Sequence, residues 1–563
     1  MGTIYKSTKE CIIWLGDVND DSIQPYEPVQ SINPVELAVL QGLIQKHNLK
    51  TPNPLQKAGK NTTFLDIPGA LEIAELIARD IHFWEMPFYR ILPDGGIELS
   101  ETWHKAVYSL ENILQRSWWK RIWTAQEAFL PSNSTIHIGS HLISYEVLLK
   151  ASHSWGDHIH SYNHTRWENC CASILSLWFG HSSPRPANAL FEQIEELNSL
   201  EVARVDHQHG SVAHNLFLLS MQRRATLPHD RVYGLFGLIS EFFPLDEAPN
   251  YRLSLLHVYQ RTTITFMENA EHLCLLSLSH PENHEHVVDK EKREYLRQLP
   301  TWCPDWNGVA LRDYFDIHNH GQFSADKRQP YDGSHIGDAI LKLEGFVVAT
   351  IPLVAPLISD MKVPPSEFVP AIQAWLDLAE SKGLTSQALW EIIHVATHNE
   401  VGLETLAQHD EWWAILKDLA KKGATYQNVE AVAKGTAFQH YQSSMVCLRN
   451  RAVFSVDSSS TLAGADRPDN VSEYRSTLPK GTIGLSMPNV REGDYIYIVK
   501  GGRTPIIFRP IEGEELRARA LEKGVPQKEL SKCFTLVGVT YIHGMMQGQA
   551  VPDTPSYDQM YIL

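Results

Sequence analysis

"RSWWKRIWTAQEAF" runs from Arg116 to Phe129. It holds three tryptophans (Trp118, Trp119 and Trp123), three cations (Arg116, Lys120 and Arg121) and one carboxylate, Glu127. Read as a helix over residues 118–130 that Pro131 stops, it carries Trp118, Ile122, Ala125 and Phe129 on one apolar stripe. Trp119 and Trp123 form the adjacent stripe, with Glu127 one turn beyond Trp123. Two readings follow. The tryptophans are core and Glu127 pairs with Arg116, Lys120 or Arg121 to tie the helix down. Alternatively, one face is core and the other lines a pocket around Glu127.

Outward from this stretch the elements alternate. "CIIWL" (Cys11–Leu15), ending in Gly16–Asp17, reads as a fully buried strand of the parallel-sheet kind. Helical periods follow over 34–47, 70–83 and 100–114, with a loop over 18–33 and a flexible insert near 49–63. "PDGG" (Pro93–Gly96) is a turn, "STIHIGS" (Ser134–Ser140) a strand, and Ser144 can cap a helix beginning "YEVLL". Residues 151–300 read as mostly helical. Within them "LPHDRVYGLFGL" (Leu227–Leu238) opens at Pro228 and spaces Val232, Leu235, Phe236 and Ile239 as a helix does. Asp230 can cap that helix, and Arg231 can reach a carboxylate. "LPTWCPDW" (Leu299–Trp306) reads as an extended strap, residues 335–356 as strands and residues 365–446 as helices. The tail is a series of short β runs, with Arg503 and Arg509 read as exposed around the Gly501–Gly502 turn.

The chain has 563 residues, more than one core holds, so about two to four domains are expected. A formal net charge of −17 argues against broad binding to nucleic acid or anionic membranes, which need a basic surface. No apolar run reaches the ~18 residues of a membrane helix. The seven cysteines are scattered without a CxxC, which fits a reducing, cytoplasmic interior. His153, His158, His160 and His164 precede Cys170 and Cys171, and His280, His284 and His286 follow Cys274. Neither group has zinc spacing, and no metal site is assigned.

Several blocks, in order, resemble the fungal heterokaryon incompatibility (HET) domain proteins. "IYKSTKECIIWLG" (Ile4–Gly16) is similar to that family's I-Y-x-x-A-x-x-V-x-x-W-L-G block, and "RSWWKRIWTAQEAFL" to its R-S-x-W-x-x-R-x-W-x-x-Q-E block. "RRATLPHDRVYGLFGL", "LPTWCPDW", "GTIGLSMPNVREGDY" and "YIHGMM" resemble later blocks. The family's opening Y-x-x-L-S-Y-x-W-G and W-I-D-A-x-C-I-N-Q segments have no counterpart here. The resemblance therefore implies a HET domain lacking its N-terminal part, either trimmed by nature or by the gene model.

The resemblance implies a partial TIR-like (flavodoxin-like) parallel sheet flanked by helices. It also implies a role in fungal non-self recognition, a form of innate immunity in which growth arrest or programmed cell death follows fusion of unlike cells. Self-association or a protein partner goes with that role. Catalytic TIR domains cleave the nicotinamide–ribose bond of NAD with one glutamate. By partial motif the resemblance places that glutamate at Glu127, with NAD as substrate rather than resident cofactor. Chemically, a carboxylate can stabilise an oxocarbenium-like state, and the indoles of Trp119 and Trp123 can stack a base. A catalytically inactive scaffold is the alternative. The expected architecture is a partial HET domain over 1–150, a mainly helical region over 151–445 with a β patch near 335–356, and a small β-subdomain over 446–563.

Overall fold

The computed structural model describes residues 2–18, 34–57, 65–160, 209–244, 248–279, 290–307, 323–357 (332 and 338 aside), 365–385, 388–389, 392, 409–423, 451–457 and 482–563. The chain forms two compact units. The first is Met1–His207 with Asn215–Pro244, the second Gln208–His214 with Leu245–Leu563.

In the first unit a three-stranded sheet has the order β1-β4-β5. β1 (Cys11–Trp14) runs parallel to β4 (Ser134–Ile138), pairing Ile13 with Ile136. β4 then turns through Gly139 (φ +56°) into antiparallel β5 (His141–Ser144). The small sheet is thus mixed. Its inner face buries Ile13, Ile136, Ile138 and Ile143. The expectation that "CIIWL" is buried throughout is corrected. Ile13 is 1% exposed, but Ile12 and Trp14 are 62% and 53% exposed. Among the described residues β1 is an edge strand with one dry face, and its period-2 alternation shows in burial rather than in residue type.

α1 (Gly2–Ser7) precedes β1, and α2 (Pro34–His47) follows it. α3 (Ile67–Ala78) begins where Asp66 caps Gly69 N–H at 3.1 Å. Its buried face, Ile67, Ala70, Ile73, Ala74 and Ile77, lies at helical spacing. β2 (Tyr89–Ile91) and β3 (Ile97–Leu99) form a hairpin around the Pro93–Gly96 turn. α4 (Glu101–Leu114) is capped by Ser100, which accepts from Trp103 N–H. After α4 come α5 (Ser117–Lys120) and α6 (Thr124–Phe129). α7 (Tyr145–His160) starts, as expected, beside Ser144, whose hydroxyl accepts from Glu146 N–H. α8 (His209–Gln222) is shared between the units, and α9 (Asp230–Tyr233) and α10 (Phe236–Phe242) close the first. His229, not Asp230, is the N-cap of α9, and no side chain caps it.

The second unit opens with α11 (Leu255–Ala270) and α12 (Lys290–Gln298) and centres on a largely antiparallel sheet. β6 (His335–Ile336) leads into β7 (Ile340–Val354), from the patch expected near 335–356. α13 (Pro365–Ser381) and α14 (His409–Lys421) follow, then β8 (Ala452–Asp457), β9 (Thr482–Ser486), β10 (Tyr495–Val499) and β11 (Ile506–Pro510). α15 (Glu514–Glu522), β12 (Cys533–Ile542) and β13 (Asp558–Ile562) complete it.

The pairings close on themselves: β7 to β10, β10 to β11, β11 to β12, β12 to β9, β9 to β8 and β8 back to β7, all antiparallel. This is a six-stranded barrel, with β13 laid between β12 and β7. Phe346, Ile351, Phe454, Ile496, Ile498 and Ile542 belong to its buried core. Closure leaves few open edges, which suits short strands. The "LPTWCPDW" segment does strap this unit. Trp302 and Trp306 are fully buried, and Thr301 N–H donates to the Leu563 carbonyl at 2.9 Å.

Among the described residues no helix is long and apolar enough to cross a membrane, and no cluster of His, Cys, Asp and Glu could hold a metal. His164, Cys170, Cys171, His280, His284 and His286 lie outside the described residues. Cys11, Cys303 and Cys533 are free thiols.

Candidate functional site

The Arg116–Phe129 stretch is not one helix. α5 ends after one turn, and Arg121 is extended (φ −89°, ψ 136°). There the chain forms a parallel bridge with Arg224: Ile122 N–H donates to Arg224 C=O at 3.0 Å, and Arg224 N–H donates to Lys120 C=O at 2.5 Å. Thr124 stabilises the break. Its hydroxyl lies 2.7 Å from Trp118 C=O and 2.6 Å from Arg121 C=O. The buried guanidinium of Arg223 donates to that same hydroxyl at 3.1 Å. Gln126 ties α6 to the α9–α10 turn by donating to Gly234 C=O at 2.7 Å.

The break changes which indole meets Glu127. Trp118 Nε1 donates to Glu127 Oε2 at 2.9 Å, and Tyr5 OH donates to Oε1 at 3.2 Å. Both carboxylate oxygens are therefore held by neutral donors, one of them 122 residues away in sequence. The expected ion pair is not formed: Arg116 instead donates to Leu15 C=O at 2.7 Å and to Asp17 C=O at 2.8 Å. That clamp holds the end of β1 against the start of α5. Trp119 is buried, edge-on to Trp118 and stacked on Tyr145, with Nε1 donating to Ile113 C=O. Trp123 is half-buried at the N-terminus of α6.

The charge of Glu127 reaches its neighbours. Burial first, then the carboxylate, pushes the Tyr5 phenol up to about 12, so Tyr5 stays a donor at any physiological pH. Burial and the same carboxylate raise the Cys11 thiol, which leaves Cys11 a weak nucleophile. The site is thus a half-buried carboxylate fixed in orientation by a phenol and an indole. Such a group can accept a hydrogen bond or stabilise nearby positive charge. The residues that sequence reasoning missed are Tyr5, Trp118 as the hydrogen-bond donor, and Arg223. Tyr5 lay in plain view in the "IY" pair (Ile4–Tyr5), but nothing local links it to Glu127.

The remaining sequence blocks take structural places. Arg231 donates to the main-chain carbonyls of Ser220 and Arg223, which keeps Arg223 under the break at Arg121. Arg509, expected to be exposed, is mostly buried. It grips Asp494 through Nε at 2.7 Å and Nη2 at 3.0 Å, and the Asp494 side chain is 2% exposed.

Comparison with known proteins bears on this same segment. Residues 1–127 match the model of the family described as heterokaryon incompatibility protein (HET). The match ends at Glu127, so it takes in Tyr5, β1 and most of the tryptophan stretch. A curated relative, "Heterokaryon incompatibility protein 6, OR allele" of Neurospora crassa, is 22% identical over 370 residues. That alignment covers 62% of this chain and 48% of the relative, so the chain spans about half the relative's length. No solved structure matches the chain. The Tyr5–Glu127–Trp118 cluster thus lies inside the segment, residues 1–127, that matches the HET family model.

Proposed function

We propose that the chain acts in fungal non-self recognition, triggering growth arrest or cell death when unlike cells fuse. The HET match over residues 1–127 carries this reading. The relative named as a heterokaryon incompatibility protein supports it. Induced expression of the full chain in a filamentous fungus tests it. Arrested hyphal growth, relieved by Glu127→Ala or by deleting residues 1–127, is the expected outcome. Unimpaired growth at verified protein levels would count against it.

One observation favours a second reading, hydrolysis of NAD by a TIR-like unit. The parallel β1–β4 pair beside α6 is in keeping with such a unit, and Glu127 is oriented by neutral donors, with no cation pairing with it among the described residues. A carboxylate held by neutral donors at that position would stabilise an oxocarbenium-like ribose in the transition state. Trp123, half-buried, would be the indole that stacks a base on this reading. Nicotinamide release by purified protein, abolished in Glu127→Gln, is the expected result. No release at high protein concentration removes this reading and leaves the first intact.

A further inference from the structure

Arg121 and Arg224 stand opposite one another. The main-chain bonds at the break between α5 and α6 register them as the two partners of a parallel bridge. Such partners have Cα atoms about 4.8 Å apart and send their side chains to one face. That face is the solvent side: Arg121 and Arg224 are exposed, whereas their chain neighbours Ile122 and Arg223 are each 1% exposed. Arg116, Arg223 and Arg231 nearby spend their guanidinium groups on main-chain carbonyls. The guanidinium groups of Arg121 and Arg224 make no hydrogen bond or ion pair among the described residues. Like charges held opposite one another cost stability. The bridge uses main-chain atoms only, so it calls for arginine at neither position. The surroundings are one-sided too. Residues 116–127 and 222–231 hold six arginines and lysines against two acids, in a chain whose formal net charge is −17.

We infer that Arg121 and Arg224 form an anion site for the diphosphate group of a small soluble ligand. Each guanidinium is a fork that takes two oxygens of one acceptor. Two forks side by side exceed what a single carboxylate fills, and its one charge leaves the pair half neutralised. Two carboxylates on alternate residues of an extended peptide lie about 6.6 Å apart along the strand, wider than the pair. Linked phosphates share a bridging oxygen, so one diphosphate brings several charges within reach of both forks. An anionic bilayer is a poor partner, because the negative charge of the whole chain opposes it. The pair borders the Glu127 cluster, since the charges of Glu127 and Arg121 both act on the Tyr5 phenol. Register and charge assign the site, so it stands whichever reading of Glu127 holds.

The test reads binding rather than activity. The full chain is titrated calorimetrically with inorganic pyrophosphate, at low ionic strength and without divalent cations. The wild type is expected to bind it, and more tightly than inorganic phosphate or acetate. Arg121→Gln and Arg224→Gln should each weaken binding by about tenfold, with unchanged circular dichroism, because neither side chain holds a bond within the fold. Arg224→Lys keeps the charge but not the fork and should fall between. Arg517→Gln, at an exposed arginine of the second unit, should bind as the wild type does. A wild type that does not bind pyrophosphate, glutamine variants of the pair that bind it equally well, or an equal loss in Arg517→Gln each overturns the inference. So does attachment to phosphatidylcholine vesicles carrying a bisphosphorylated inositol lipid in place of pyrophosphate binding.

Discussion

Glu127 shows how much one side chain owes to distant partners. Its carboxylate accepts from Tyr5 and Trp118, and each bond is expected to contribute about 0.5–1.5 kcal/mol, with charge on the acceptor favouring the upper end. Tyr5→Phe should lower the urea midpoint by a corresponding amount without changing the slope. An unchanged midpoint would show that the phenol does not tether α1 to α6. In the sequence Glu127 stood out by its place among indoles. Its partners were not legible there, because helical spacing pointed to Trp123, and Tyr5 comes from 122 residues upstream. A second residue of note is Asp326, which is 1% exposed and accepts from the N–H groups of Arg328 and Gly501. Burial pushes its carboxyl up to about 6 against those bonds. The folded state then holds a proton that the unfolded state has lost, so this group's contribution to stability falls as pH rises from about 4 to 6. Against Asp326→Asn, the wild type should gain relative stability on acidification from pH 7 to 4, by at most about 3 kcal/mol. A difference that does not vary with pH would contradict the shift.

At the scale of elements, the break between α5 and α6 is the departure that matters. The local pattern of Trp118–Leu130 satisfies a helix, and nothing within it demands a stop. The stop comes from Arg224, whose main chain pairs with Arg121 across more than a hundred residues. It is secured by Thr124 and Arg223. Tertiary bonds thus override local propensity. The same contact explains the glycine in "VYGLFGL" (Val232–Leu238). A Cβ on Gly234 would stand 2.6 Å from Asp230 C=O and 2.8 Å from Ile122. Gly234→Ala should therefore cost about 1–3 kcal/mol by overpacking, read as a lowered thermal midpoint. A neutral result would mean that α9 and α6 can move apart. Helices whose pattern and packing agree, such as α2 and α4, were read closely from sequence.

For the molecule as a whole, the sequence showed a β-rich tail but not its closure. Four of the six described strands after residue 451, β9 to β12, were visible as short β runs with turn residues between them; β8 and β13 were not. That β7, a hundred residues earlier, completes the barrel was not visible, since strand pairing leaves no local mark. Reading Arg509 as exposed failed for a related reason: its carboxylate partner, Asp494, sits on the neighbouring turn of the same barrel. Arg509→Ala leaves Asp494 buried with a lone main-chain donor from Arg491 and should cost about 3–5 kcal/mol. Restoration by Arg509→Lys should be incomplete, because an ammonium cannot make the paired contact. Loss of less than about 1 kcal/mol would show that the pair is solvated in practice.

The barrel also fixes an order of events. Among the described strands, every partner of β7 but β6 is made at least ninety-eight residues after it, the first being β8 at Ala452. While the ribosome is still adding those residues, a fifteen-residue apolar ribbon has no stable place to go. This half of the protein must therefore close late, once β8 to β13 have been made, and chaperone supply should govern its yield more than that of the N-terminal half.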